Sequence, residues 1–213
     1  MTALPNAGAG ALMQEVAAAV VENRAWLSEL DGQIGDGDHG FNMAKGFGRA
    51  AERIGAADTL DSALNTLSEV LIGEIGGSMG PLYGMMFSDM ADAVAGAEAI
   101  DAQTFGRMLH AGLDGVRAIG SADVGDKTLL DTLVPSVAAY DAALAQGGGF
   151  ADALTAMTAA AETGRDSTRD MVARIGRASR LGDRSRGVLD PGATSCCLIL
   201  VTLADGVARR LDG

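Results

Sequence analysis

A chain of 213 residues and 21.5 kDa is long enough to bury roughly 70% of its unfolded surface without staples, and it suits a single domain over residues 1–213. Its net charge of −12 excludes a general nucleic-acid binder, and 4% aromatic residues in an Ala- and Gly-rich chain favour packed helices over β-sandwiches. The two cysteines, Cys196 and Cys197, are adjacent, which excludes a disulfide framework and reads as core thiols of a cytoplasmic protein.

No basic residue precedes Arg24, so the N-terminus does not read as a secretory signal. Leu12, Val16, Val20, Leu27 and Leu30 fall at helical spacing and predict a first helix running to residue 30. An acidic, glycine-rich turn follows, then a second helix over 42–54. Asp58-Thr59 caps a third, to residue 75, and Pro81 suits the first turn of a fourth, to residue 95. Phe105, Leu109, Leu113, Val116 and Ile119 mark a fifth. A sixth covers 128–146, with Pro135 near enough to its start to cause only a bend. Phe150, Leu154, Met157, Ala161, Met171 and Ile175 predict a long seventh helix to residue 178, and 192–211 is the eighth. Cys196 to Leu203 is the one credible strand, but a lone strand makes no sheet and the helical pattern continues through Arg210. Its apolar core, Cys196 to Val201, is too short to span a bilayer, so no membrane is expected. The prediction is an all-α fold of eight antiparallel, up-down helices.

Glycine-rich connections follow helices one, three, five and seven, so these four loops share one pole of such a bundle. The first, Asp31-Gly-Gln-Ile-Gly-Asp36-Gly-Asp38-His39-Gly-Phe-Asn42, crowds three carboxylates. Each pair at 4 Å costs about 4 kcal/mol at an effective dielectric of ~20, so a cation must offset the repulsion. Hard oxygen donors suit Mg²⁺ or Ca²⁺, and Mg²⁺ is commonly shared between carboxylates and phosphates. Gly35 to Gly40 also spells GxGxxG, but a helix rather than a strand precedes it and its two aspartates repel a bare pyrophosphate. An EF-hand loop counted from Asp36 fails, because Phe41 and Phe47 stand where Gly and Glu are required. The bland alternative is Asp38 capping the next helix, which leaves two carboxylates unexplained.

The second loop, Gly76-Gly77-Ser78-Met79-Gly80-Pro81-Leu82-Tyr83-Gly84, opens a helix and can offer backbone N–H groups to an anion, or serve as a tight turn. The third, Gly125-Asp126-Lys127-Thr128, reads alone as a simple cap. The fourth carries Arg177, Arg180, Arg184 and Arg186 before Asp190-Pro191-Gly192. Arginine forks suit phosphate, though a solvated charged loop or an acidic partner would account for them too. His39 more naturally bonds phosphate or backbone than a metal, and His110, mid-helix, reads as structural.

Together, Ile34 to Met43, Gly76 to Gly84, Gly125 to Thr128, Gly176-Arg177-Ala178-Ser179 and Asp190 to Ala193 closely resemble, in order, the L-type nucleotide-binding subunit of the dihydroxyacetone kinase family. The resemblance implies an eight-helix antiparallel barrel with the nucleotide at one end. It implies that Asp31, Asp36 and Asp38 hold two Mg²⁺ ions bridging to the phosphates of ADP or ATP. It places His39, Asn42, Gly77, Ser78, Met79, Gly120, Leu129, Arg177, Asp190, Pro191 and Gly192 around the nucleotide, with Arg177 and the three aspartates doing the catalytic work. It further implies a separate K-type subunit that holds a short-chain ketose, and in some systems a phosphohistidine protein of the sugar phosphotransferase system. The family leaves ATP exchange and ADP kept as a coenzyme both open. Fatty-acid kinases carry a related domain with Thr in place of the His, so His39 favours the dihydroxyacetone branch. Three departures stand out: Met79 replaces a common Ser, Arg180 a usual aromatic, and Leu129 a common Met. The alternative function is a regulatory protein that docks a transcription factor according to nucleotide state.

Overall fold

The computed structural model describes residues 2–212. Nine α-helices make up most of the described residues: α1 (Gly10–Glu22), α2 (Arg24–Ile34), α3 (His39–Ala51), α4 (Leu60–Glu74), α5 (Met79–Val94), α6 (Ala102–Ile119), α7 (Leu130–Ala145), α8 (Phe150–Ser167) and α9 (Pro191–Asp212). A ribbon of two three-residue strands, β1 (Ala3–Pro5) and β2 (Ala99–Asp101), pairs antiparallel with Leu4 opposite Ile100. The fold is all-α, as the sequence predicts, and Cys196 to Leu203 is helix throughout.

Two helices depart from expectation. The predicted first helix breaks at Asn23 into α1 and α2. There the Asn23 side-chain amide donates to the Ala19 carbonyl at 2.9 Å, competing with the backbone ladder and leaving ψ at 9°. The predicted seventh helix stops at Ser167, so Met171 and Ile175 are not helical. Ser167 Oγ donates to the Gly164 carbonyl (2.7 Å) and Thr168 Oγ1 to the Arg165 carbonyl (2.6 Å), which satisfies the helix's last acceptors from within. A 3₁₀ turn at Thr168–Asp170 then tightens the end.

With α1 and α2 counted as one bent rod, eight rods form a ring. Each packs on the next in sequence, and α9 closes it against α1. Two aromatic groups fill the interior: Phe47, Tyr83 and Phe87 on one side, Phe105, Tyr140 and Phe150 on the other. Such pairs add about 0.5–1.5 kcal/mol each beyond their buried area. By length and composition α9 is the one described helix able to cross a bilayer, contrary to the short-run expectation, because its Thr, Ser and Gly residues barely lower the mean hydropathy of 1.5. Its apolar stretch is 67% buried within the ring, which is the pattern of a core helix.

Candidate functional site

The connections α2–α3, α4–α5, α6–α7 and α8–α9 meet at one end of the ring around an open cavity of about 780 Å³. All fourteen residues singled out from the sequence line it: Asp31, Asp36, Asp38, His39, Asn42, Gly77, Ser78, Met79, Gly120, Leu129, Arg177, Asp190, Pro191 and Gly192. His110 does not; it sits on the outer surface, paired with Asp141 at 2.7 Å.

Asp31 lies on the last turn of α2, while Asp36 and Asp38 lie in the turn before α3, with Gly37 between them at φ 79°, a conformation that favours glycine. One carboxylate oxygen from each falls within 4.8 Å of the others. A set of hard carboxylate oxygens this close together suits a divalent cation such as Mg²⁺ or Ca²⁺. The capping alternative fails for Asp38, whose side chain makes no cap hydrogen bond. Asp31 instead accepts the His39 N–H at 3.3 Å, so the helix is capped from the preceding one. Arg177 crosses from the α8–α9 loop to pair with Asp36, and its Nη1 lies 4.0 Å from Asp38. Three carboxylates facing one guanidinium leave about two negative charges, the balance a divalent cation offsets.

The opposite wall is the N-terminus of α5. Gly77 turns at φ 78°, Ser78 is exposed, and Met79 is 8% exposed, turned into the core. Met79 thus brings no polar atom to this wall, and what it can offer an anion is backbone N–H groups and the Ser78 hydroxyl.

The floor is the start of α9. Asp190 Oδ2 accepts the Ala193 N–H at 2.7 Å; burial pushes this carboxyl up to about 7, against the pull of that amide and of Lys127. Below it, His39 Nε2 lies 2.9 Å from Ser195 Oγ, which lies 2.8 Å from the Tyr83 hydroxyl, and Tyr83 also donates to the Gly192 carbonyl at 3.2 Å. Burial pulls His39 below the usual imidazole range, with the Asp31 carboxylate and the Pro191 carbonyl opposing it. His39 is therefore a tie between α3 and α9, and it is not among the clustered metal-ligand candidates.

Sequence reasoning missed Ser195 as the partner of His39 and Tyr83 as the partner of Ser195, and it reduced the Lys127 turn to a cap. The Thr128 hydroxyl does accept the Leu130 N–H, at 3.2 Å. Lys127, however, is a buried ammonium whose three donors lie within reach of four main-chain carbonyls of the α8–α9 loop. The available signal was its rarity, as one of two lysines in the chain, beside an Asp at position 131.

Residues 33–205 match the DAK2 domain family. The chain is 39% identical over 181 residues to the ADP-binding subunit DhaL of the PEP-dependent dihydroxyacetone kinase of Escherichia coli K12, covering 84% of this chain and 86% of that one. It is 34% identical over 191 residues to the ADP-binding subunit DhaL of the PTS-dependent dihydroxyacetone kinase of Lactococcus lactis, covering 89% and 91%. The crystal structure of the dihydroxyacetone kinase from C. freundii in complex with AMP-PNP and Mg²⁺ superposes with a TM-score of 0.68 at 25% identity, over 92% of this chain and 33% of that longer one. This chain belongs to the DAK2 domain family, which includes the ADP-binding subunits of dihydroxyacetone kinases.

Proposed function

We propose that this chain acts as one nucleotide-binding domain, the ADP- and Mg²⁺-binding subunit of a dihydroxyacetone-type kinase working in the cytoplasm. The observation that carries the reading is the facing of three clustered carboxylates and Arg177 across one cavity from a glycine turn at a helix N-terminus. Phosphoryl transfer asks a protein mainly for positioning and charge stabilisation, and this arrangement offers both. Asp31, Asp36 and Asp38 hold two Mg²⁺ ions, which when bound offset phosphate charge and orient the transferred group. Arg177 faces the same charge from the α8–α9 side, and the N–H groups entering α5 take the remaining oxygens. Asn42, Gly120, Leu129 and the Asp190-Pro191-Gly192 turn enclose the rest of the nucleotide.

The acceptor, a short-chain ketose, is held by a separate K-type subunit that docks at the open end. The PEP- and PTS-dependent relatives favour ADP retained as a coenzyme and recharged from a phosphohistidine protein of the phosphotransferase system. Calorimetry of ADP on nucleotide-stripped protein tests the site: tight binding with Mg²⁺ that vanishes in EDTA is expected, and binding indifferent to EDTA refutes the metal assignment. Sustained turnover of the reconstituted complex on ATP alone, without a phosphoprotein donor, refutes the coenzyme mode.

A further inference from the structure

The α8–α9 connection is a long excursion whose two ends meet. Residues 168–171 leave α8, residues 185–188 return toward α9, and the arch between them carries Arg177 and a 3₁₀ segment, Ala178–Ser185, kinked at Gly182. An arch that exposed needs a firm neck if its arginine is to be held over Asp36.

The neck closes around one cation. Lys127 is 2% exposed, and its Nζ, with three N–H donors, lies within hydrogen-bond reach of four carbonyls, those of Thr168 (2.8 Å) and Met171 (3.3 Å) on the outgoing side and of Ser185 (2.7 Å) and Val188 (2.7 Å) on the returning side. Lys127 is also the one described non-glycine residue with positive φ, 63°, a conformation that side chains other than Asn, Asp and Gly seldom adopt. A second buried group imposes that turn: Asp131 accepts the Gly125 N–H at 2.6 Å and the Thr128 N–H at 2.7 Å, bracketing Lys127. The Gly187 N–H donates to the Arg169 carbonyl (2.7 Å) and the Ala173 N–H to Ser185 Oγ (2.9 Å), so the strands of the neck also touch directly. A buried ammonium is tolerated only when its donors are satisfied, and these carbonyls satisfy it only while both sides of the neck are in place.

We propose that Lys127, set by Asp131, is a positioning residue that staples the neck of the α8–α9 loop and thereby holds Arg177 over the acidic turn. This rests on the nucleotide reading for Arg177 but not for the neck, and the experiment separates the two. In the full chain, amide hydrogen exchange compares wild type with Lys127→Met, which keeps the stem and removes the donors, and Lys127→Arg, which restores donors. Amides of residues 171–187 exchange at least tenfold faster in Lys127→Met while those of α4 and α5 are unchanged, and Lys127→Arg recovers most of the protection. In parallel, the loss of Mg²⁺-ADP affinity on Arg177→Ala, at least tenfold in wild type, shrinks to under threefold in the Lys127→Met background. Unchanged exchange in the neck, or an equal Arg177→Ala loss in both backgrounds, overturns the proposal. If wild type binds no Mg²⁺-ADP, the kinase reading falls and the exchange comparison alone decides the staple. If Lys127→Met does not fold, wild type decides: Ala173 and Gly187 amides exchanging as fast as the Gly182 amide overturn it.

Discussion

At the scale of single residues, the acidic turn is a charge problem with two partial solutions. Arg177 offsets Asp36, while Asp31 spends one oxygen on the His39 N–H and Asp38 has no cap to make. Asp36→Asn removes one anionic ligand and frees Arg177. The expected result is at least a tenfold loss of Mg²⁺-dependent ADP affinity by calorimetry, about 1.4 kcal/mol, with little change in unfolding temperature because the turn is exposed. Asp190 poses the opposite problem. Its carboxyl is raised by burial to about 7, so between pH ~4 and 7 the folded state holds a proton that the unfolded state has released. Stability from this group is therefore full at low pH and declines as pH rises toward 7. Asp190→Asn keeps an acceptor for Ala193 N–H without the charge. It should raise the unfolding temperature at pH 8, by about 2–4 °C for each kcal/mol relieved, with the gain shrinking as pH falls toward 4.

At the scale of elements, what was legible followed from periodicity and what was not followed from side chains acting on backbone. Helices α3 to α7 and α9 begin and end within a few residues of expectation because their apolar faces repeat and caps such as Thr59 stand at their starts. The break at Asn23 and the stop at Ser167 are invisible to periodicity: apolar residues continue in register past both, and local hydrogen bonds end the helix anyway. The ribbon of β1 and β2 pairs residues as far apart as Ala3 and Asp101, which no local pattern reports. In the site, Arg177 and the site residues of the acidic and glycine turns reached the cavity while Arg180, Arg184 and Arg186 did not, and Lys127 read as part of a cap because its partners lie 41 to 61 residues away. Packing between elements also fixes the acidic turn. Gly40, in the first turn of α3, lies where a Cβ would overlap the Arg24 carbonyl and crowd the Ser28 amide of α2, so the two helices touch backbone to backbone. Gly40→Ala must push them apart. We expect a loss of about 1–3 kcal/mol in urea unfolding, together with weakened Mg²⁺-dependent ADP binding, since Asp31 and Asp38 sit on opposite sides of that contact.

At the scale of the whole molecule, ring closure by α9 against α1 couples the four loops to one core, because each loop joins two rods whose neighbours are fixed in turn. A ligand bridging the acidic turn on the α2–α3 side, the α5 N-terminus and the Arg177 loop contacts elements from both halves of the chain, so it binds the closed ring and not a part of it. Anything that binds only the folded state stabilises it by RT ln(1 + [L]/Kd), about 2.7 kcal/mol at a hundredfold excess over Kd. For a chain of this length that is an upward shift of roughly 5–11 °C in a single cooperative transition. The shift should need Mg²⁺ and ADP together and should collapse on adding EDTA, since neither the carboxylates nor the phosphates tolerate one another without the cation between them. Differential scanning calorimetry of stripped protein with Mg²⁺ alone, ADP alone and both checks it. A comparable shift with ADP alone would mean that the arginine and the α5 N-terminus suffice, and that the aspartates serve something other than the metal.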